Sequence, residues 1–173
     1  MYSVVQTSKS GNKIVQIAIY SGAGEVSRKF VSAYEVLDSG AHAVIIAIKD
    51  GDKHLVVKKP KSTETREHEK SPCQREIEFF KRGLQHKNII RHEGFCRINL
   101  TRHCILLPRM ETSLLDELNN SNGQSTIIEK NRLSIVKQVL EALVYLHKNG
   151  IAHLDIKPEN LMLDMRGQSL LLK

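Results

Sequence analysis

The stretch His153-Leu-Asp-Ile-Lys-Pro-Glu-Asn160 places an imidazole, a carboxylate, an ammonium and a carboxamide within eight residues. Phosphoryl transfer to a hydroxyl needs a similar set: a carboxylate that accepts or orients the hydroxyl, a cation near the transferred group, and an oxygen ligand for a nucleotide-bound metal. Asp155 suits the first role. Lys157, two positions on in an extended loop, can reach the same side, and the amide oxygen of Asn160 can serve Mg²⁺. Pro158 holds the intervening turn in shape.

Several elements must position this loop. Between Asn131 and Asn149, Leu133, Val136, Val139, Leu140, Leu143 and Val144 recur at helical spacing, and Gly150 ends the pattern where a left-handed C-cap is expected. This helix delivers the chain to His153. Upstream, "RHCILLPRM" predicts a buried strand running into a proline, "SLLDEL" a capped short helix, and "NNSNGQS" a loop. Downstream, "LMLDMRGQSLLLK" predicts strand, Asp/Gly turn and strand.

The preceding half reads differently. From Tyr34 to Pro60 the pattern is strand, Gly-containing turn, strand, an Asp50-Gly51 hairpin signal, and strand, which predicts an antiparallel sheet. A charged linker, "KSTETREHEK", leads to "SPCQREIEFFKRGLQ", where Ser71 can cap, Pro72 takes the first helical position and Gln74 completes a capping-box spacing. The first thirty residues alternate polar and apolar and predict one or two exposed strands.

Composition removes other classes. With 40% hydrophobic and 26% charged residues the chain reads as globular, and the apolar run Ala43 to Ile48 falls far short of a membrane span of about 20 residues. The N-terminus lacks the apolar stretch of a secretory signal, so an intracellular, cytoplasmic setting is expected. Cys73, Cys96 and Cys104 lack metal-ligand spacing and predict neither a zinc site nor a disulfide framework. The net charge of +7 is interleaved with acids and aromatics are only 5%, which argues against a nucleic-acid partner.

HLDIKPENLML closely resembles the catalytic loop of eukaryotic protein kinases, H-R-D-x-K-x-x-N, and the resemblance extends from about Tyr34 to Lys173. Lys157-Pro-Glu-Asn is the serine/threonine form. Aminoglycoside-type small-molecule kinases share a looser His-x-Asp-x-x-x-x-Asn arrangement, but the Lys-Pro-Glu stretch favours protein kinases. The resemblance implies an α+β fold: an antiparallel small lobe with one helix, the start of a mainly helical large lobe, and ATP with Mg²⁺ in the cleft between them. Its domain plan is an N-terminal extension over 1–33 and a kinase domain over 34–173, with small lobe and hinge at 34–110 and the start of the large lobe at 111–173.

The family's other motifs fall in order along the chain. In "LVVKKP", Lys58 matches the phosphate-binding lysine, with Lys59 as alternative, and Val56 would pack on adenine. Glu76 in "REIEFF" would fix that ammonium by an ion pair, Glu78 being the alternative, and "HKNIIRHEGF" follows. The glycine-loop pattern falls on "DSGAHAVI": Asp38 replaces the first glycine, Gly40 keeps the second, Ala43 replaces the third and Ile45 replaces valine, with Leu37 just before. "CILLPRME" resembles the hinge, where Leu107 lies near the gatekeeper position and Pro108 to Met110 would offer backbone groups to adenine, while Met162 would lie beneath the ring.

Two departures accompany the resemblance. Leu154 stands where the family usually has an arginine that pairs with a phosphorylated activation loop, and "GIAHLDIKPENLML" is most similar to the death-associated and myosin-light-chain kinase group. The Asp-Phe-Gly motif should follow "LLLK", and the sequence stops at Lys173 before it. The expectation is therefore a truncated Ser/Thr kinase acting on a protein hydroxyl. The alternative is an inactive nucleotide- or partner-binding module, with a partner covering the apolar stripe of the large lobe.

Overall fold

The computed structural model describes residues 6–7, 13–20, 26–40, 43–61, 72–98, 102–120, 125–163 and 170–172. It divides into two compact units, Met1–Leu84 with Arg91–Arg109, and Gln85–Ile90 with Met110–Lys173. Ser71 and nearly all of the charged linker lie outside the described residues, as do loop residues 121–124, the turn at 164–169 and Lys173.

The first unit is built on strands β1 (Gln6–Thr7), β2 (Lys13–Tyr20), β3 (Val26–Ser39), β4 (Ala43–Asp50), β5 (Lys53–Pro60), β6 (Gly94–Ile98) and β7 (Arg102–Pro108), with helix α1 (Pro72–Lys81) between β5 and β6. Its sheet runs β1-β2-β3-β4-β5-β7-β6, and β2 also pairs with β6, so the sheet closes on itself. All these pairs are antiparallel. The β4–β5 hairpin turns at Gly51, whose φ of 61° suits a residue without Cβ, as the Asp-Gly signal predicts.

Alternation along the strands decides what lies inside. Ile46, Ile48, Leu55, Val57, Cys104 and Leu106 sit at every second position and form one buried cluster with Ile17, Val31 and Cys96. Each such aliphatic side chain stabilises the fold by about 1.5–3 kcal/mol on burial. The intervening positions share the opposite face, where register sets Ala47, Val56 and Leu107 in one row and Ile45, Lys58 and Ile105 in the next. The sheet thus has a filled interior and a second, largely apolar face.

One sequence expectation is corrected here. The early strands are not merely exposed, because Ile17 and Val31 are 1% and 2% accessible. Closure of the sheet through β2–β6 turns their inward positions into core. β3 passes through residues 33 and 34 as one strand, with irregular register beside β4 at Ala33/Glu35 and Val36/Asp38. Helix α1 starts at Pro72 as its cap pattern predicts and buries Ile77 and Phe80. The Phe80 ring stacks on His92 with centroids 5.0 Å apart, and His92 lies 4.8 Å from the Phe95 ring of β6.

The second unit holds β8 (Thr112–Ser113), α2 (Leu114–Asn120), α3 (Thr126–Lys148), β9 (Leu161–Leu163) and β10 (Leu170–Leu172), its three strands ordered β10-β9-β8. Ser113 caps α2: its Oγ accepts from the Asp116 N–H at 3.0 Å, and the Asp116 carboxylate accepts from the Ser113 N–H at 3.2 Å. Helix α3 begins at Thr126, five residues before the apolar pattern predicts, because buried Ser125 accepts from the Ile128 N–H. It ends as expected. Gly150 adopts φ 70°, and the Gly150 and Ile151 N–H groups donate to the His147 and Leu146 carbonyls in a Schellman closure.

The buried face of α3 differs from its most apolar one. Ile135, Ala142 and Leu146 are buried, whereas Leu133, Val136, Leu140 and Val144 are more than half exposed. Asn88 ties the unit together. Its Nδ2 donates to Gln138 Oε1 at 2.7 Å and to the Leu170 carbonyl at 3.0 Å, while the Leu170 N–H donates to the same Gln138 oxygen. The Asn88 carbonyl accepts from the Leu172 N–H, and Leu172 returns its own carbonyl to the Ile90 N–H.

Candidate active site

Strand β5 carries Lys58 on the second face of the sheet, in register between Ile45 and Ile105. Its ammonium lies 2.6 Å from Glu76 Oε2 of α1, each side chain about one-fifth exposed. Partial burial makes this charge-assisted contact worth more than a surface ion pair, since solvent screens it less. The geometry selects Lys58 and Glu76 over Lys59 and Glu78 for this contact. Two residues from Glu76, Glu78 falls about 200° round the helix and is exposed.

The neighbouring candidates lie on the same sheet. Val56 and Leu107 are directly paired and buried, two residues along from the Lys58–Ile105 pair. Ile45 is half-buried opposite Lys58 on one side and Asp38 on the other. Ala43 opens β4, half-buried. Leu37, Asp38 and Gly40 are exposed near the end of β3, and residues 41–42 between Gly40 and Ala43 lie outside the described residues. Pro108 closes β7, Arg109 donates its N–H to the His54 carbonyl, and the first unit ends there, with Met110 beginning the second.

In the second unit the chain leaves the α3 cap without regular secondary structure and reaches His153, whose Nδ1 accepts from the Asp155 N–H at 3.3 Å. Leu154 between them takes φ 63° and is 92% exposed. A leucine in the left-handed region costs about 1 kcal/mol or more, and such strain gathers where a loop must aim a neighbour. That neighbour is Asp155.

Asp155 is the focus of the loop. Asn160 Nδ2 donates to its Oδ2 at 2.8 Å and to its backbone carbonyl at 2.8 Å, while Lys157 Nζ lies 3.2 Å from Oδ2. A single 3-10 turn over Pro158–Asn160, closed by the Asn160 N–H on the Lys157 carbonyl, makes this return possible. The Asn160 hydrogen bond, then Lys157, holds the Asp155 pKa below the ordinary carboxylate value despite slight desolvation. The result is an ionised, accessible carboxylate with an ammonium beside it.

Asn160 uses its amide nitrogen in these bonds, which directs the donor end inward and suits the oxygen end to a cation. Among the described residues no three His, Cys, Asp or Glu side chains group as a metal site. A Mg²⁺ held here would draw on the Asn160 oxygen together with nucleotide phosphates, in keeping with that ion's preference for mixed oxygen shells. Met162 of β9 is half-buried, paired with Ser113 and Leu171.

The structure therefore brings together Lys58 with Glu76 in the first unit, and Asp155, Lys157 and Asn160 in the second. Part of the second unit's polar framework has no local sequence signal. Asn88 and His153 were read only as motif letters, and Gln138 was not singled out; the pairing of a polar residue at 138 inside an apolar helix with an asparagine fifty residues away has no local signal.

Comparison with known proteins agrees with this geometry. The protein kinase domain model matches residues 32–173. Calcium-dependent protein kinase 4 of Plasmodium berghei is 26% identical over 168 residues, covering 95% of this chain and 31% of that protein. A probable myosin light chain kinase of Dictyostelium discoideum is 29% identical over 83% of this chain and 33% of its own length. The MAP kinase-interacting serine/threonine-protein kinase 1 of Xenopus laevis is 27% identical over 80% and 33%. The chain spans about a third of the length of these relatives. With an α+β fold, a paired strand lysine and helix glutamate, and an ordered H-x-D-x-K-x-x-N loop, the chain belongs to the protein kinase domain family.

Proposed function

We propose that the protein transfers the γ-phosphoryl of ATP to a serine or threonine hydroxyl of a protein. The observation that carries this reading is the cluster of Asp155, Lys157 and Asn160, with contacts of 2.8 and 3.2 Å on one carboxylate oxygen. Asp155 orients the acceptor hydroxyl and takes its proton, Lys157 offsets charge building on the transferred group, and Asn160 holds the carboxylate while offering its oxygen to Mg²⁺. Bound MgATP supplies the phosphoryl group and neutralises part of its charge.

In this reading Lys58, fixed by Glu76, binds nucleotide phosphates. The residues that the resemblance assigns to nucleotide contacts are Leu37, Gly40, Ala43, Ile45, Val56 and Leu107 in the first unit, and Met110 and Met162 in the second. Residues 34–110 act as small lobe and hinge and 111–173 as the start of the large lobe, preceded by an extension over 1–33. The likeness of the loop sequence GIAHLDIKPENLML supports a relation to the death-associated and myosin-light-chain kinase group, and action inside the cell is part of the same proposal. The identity of residues 157–159 favours Ser/Thr over tyrosine acceptors.

A second reading is favoured by one observation: Asp38, exposed beside the nucleotide loop, sets a negative charge near a polyanion. In that reading the protein binds nucleotide weakly or a partner through the α3 stripe and transfers nothing. Phosphoamino-acid analysis separates the two, using a form extended to the length of the relatives, γ-labelled ATP and a mixed protein substrate. Label on serine and threonine is the expected result; label on tyrosine alone, or no transfer, contradicts the Ser/Thr kinase reading.

A further inference from the structure

Cys96 of β6 and Cys104 of β7 are directly opposite each other in the antiparallel register, and both are 0% accessible. Both belong to the interior cluster of the closed sheet, so their side chains point to the same side, and the thiols share a hydrogen bond. Neither is in a disulfide. Directly opposed residues of an antiparallel pair have Cα atoms about 4.5–5.5 Å apart, within the span of about 4.4–6.8 Å that a disulfide bridges.

We propose that Cys96 and Cys104 form a redox-responsive dithiol, closing into a cross-strand disulfide in the sheet interior on reaction with a small-molecule disulfide of the oxidised-glutathione class. One cysteine thiolate attacks the oxidant, forming a mixed disulfide and releasing one small thiolate. The other cysteine thiolate attacks the protein sulfur of that mixed disulfide and expels the second. Two S–H protons leave, two cysteines are oxidised, and one small disulfide is reduced to two thiols.

The hydrogen bond shared with Cys104, and then burial, push the Cys96 thiol well above its ordinary pKa, so the folded dithiol is slow to react. Reaction proceeds when the hairpin opens or while the chain folds. Cys96 is also in register with Ile19 across the β2–β6 pair that closes the sheet. Once formed, the cross-link ties β6 to β7 one residue from Ile105, the register partner of Lys58. It shortens the freedom of the unfolded chain and staples the sheet.

The test refolds residues 1–173, carrying Cys73→Ser, from denaturant in buffers of graded oxidised-to-reduced glutathione ratio, which removes any kinetic block from burial. Intact mass and peptide mapping after alkylation under denaturing conditions follow both thiols. The expected result is loss of both alkylatable thiols in the oxidised buffers, a linked 96–104 peptide, no retained glutathione, and a thermal midpoint that falls when reductant is added. In Cys104→Ala, Cys96 should instead carry a glutathione adduct. Both thiols still free in fully oxidised buffer, stable adducts on the wild-type pair, or a midpoint that rises on reduction would overturn the proposal.

Discussion

The Lys58 ammonium and the Glu76 carboxylate, eighteen positions apart in sequence, meet at 2.6 Å because β5 ends and α1 presents its second turn at the same place. A long flexible lysine is thereby held in one orientation. Lys58→Met should weaken nucleotide binding about tenfold or more, the scale of losing a charge-assisted contact of about 1.5–3 kcal/mol. Glu76→Gln should lose less, since the ammonium remains but wanders. Lys59→Met and Glu78→Gln should bind as wild type, measured by titration with a fluorescent ATP analogue.

Asn160 should control the ionisation of Asp155. The depressed carboxyl pKa rests first on the Asn160 hydrogen bond, so Asn160→Ala should raise it toward the ordinary value near about 3.9, read by carbon-detected NMR titration. The sign follows from linkage: any stabilisation from this group is present above the ordinary value and is lost as pH falls through the lower folded one. An unchanged pKa in Asn160→Ala would remove Asn160 from this role.

His92 should make the small unit sensitive to mild acid. Its pKa is lowered by burial between Phe80 and Phe95 and by Arg91, with Glu93 partly opposing. A base held neutral in the fold stabilises most above its ordinary pKa of about 6.5, and that stability declines as pH drops from there toward the lower folded value. Thermal midpoints recorded across this window should fall with acid in wild type and flatten in His92→Leu.

Asn88 should be worth more than its size implies. It is 3% accessible and its amide bridges Gln138 to the Leu170 carbonyl, so Asn88→Ala removes both hydrogen bonds and leaves Gln138 Oε1 with only its Leu170 N–H donor. A cost of about 2–3 kcal/mol in unfolding free energy follows, measured by urea denaturation. Leucine at this position should be no better, because it fills the space but not the hydrogen bonds.

Much of this was legible in the chain. The Asp50-Gly51 turn, the Pro72 helix start and the Gly150 stop are local signals, each set by a few adjacent residues, and each appears where its chemistry places it. Other features depended on distant pairing. That Ile17 and Val31 are core follows from β2 meeting β6, about eighty residues later, and that Cys96 faces Cys104 follows from strand register. The α3 helix shows the limit of periodicity, since Gln138 and Asn88 anchor the less apolar face while Leu133 and Leu140 stay outside.

The most direct test of the whole account is Asp155→Asn in a form extended to the length of the relatives, assayed for transfer of labelled phosphate to protein beside a nucleotide titration. In the proposed role the carboxylate acts on the acceptor hydroxyl and not on the nucleotide, so transfer should fall by about 10²-fold or more while nucleotide affinity stays within about twofold. Transfer within a few-fold of wild type would contradict the role of Asp155, and with it the reading of the loop that His153 to Asn160 builds.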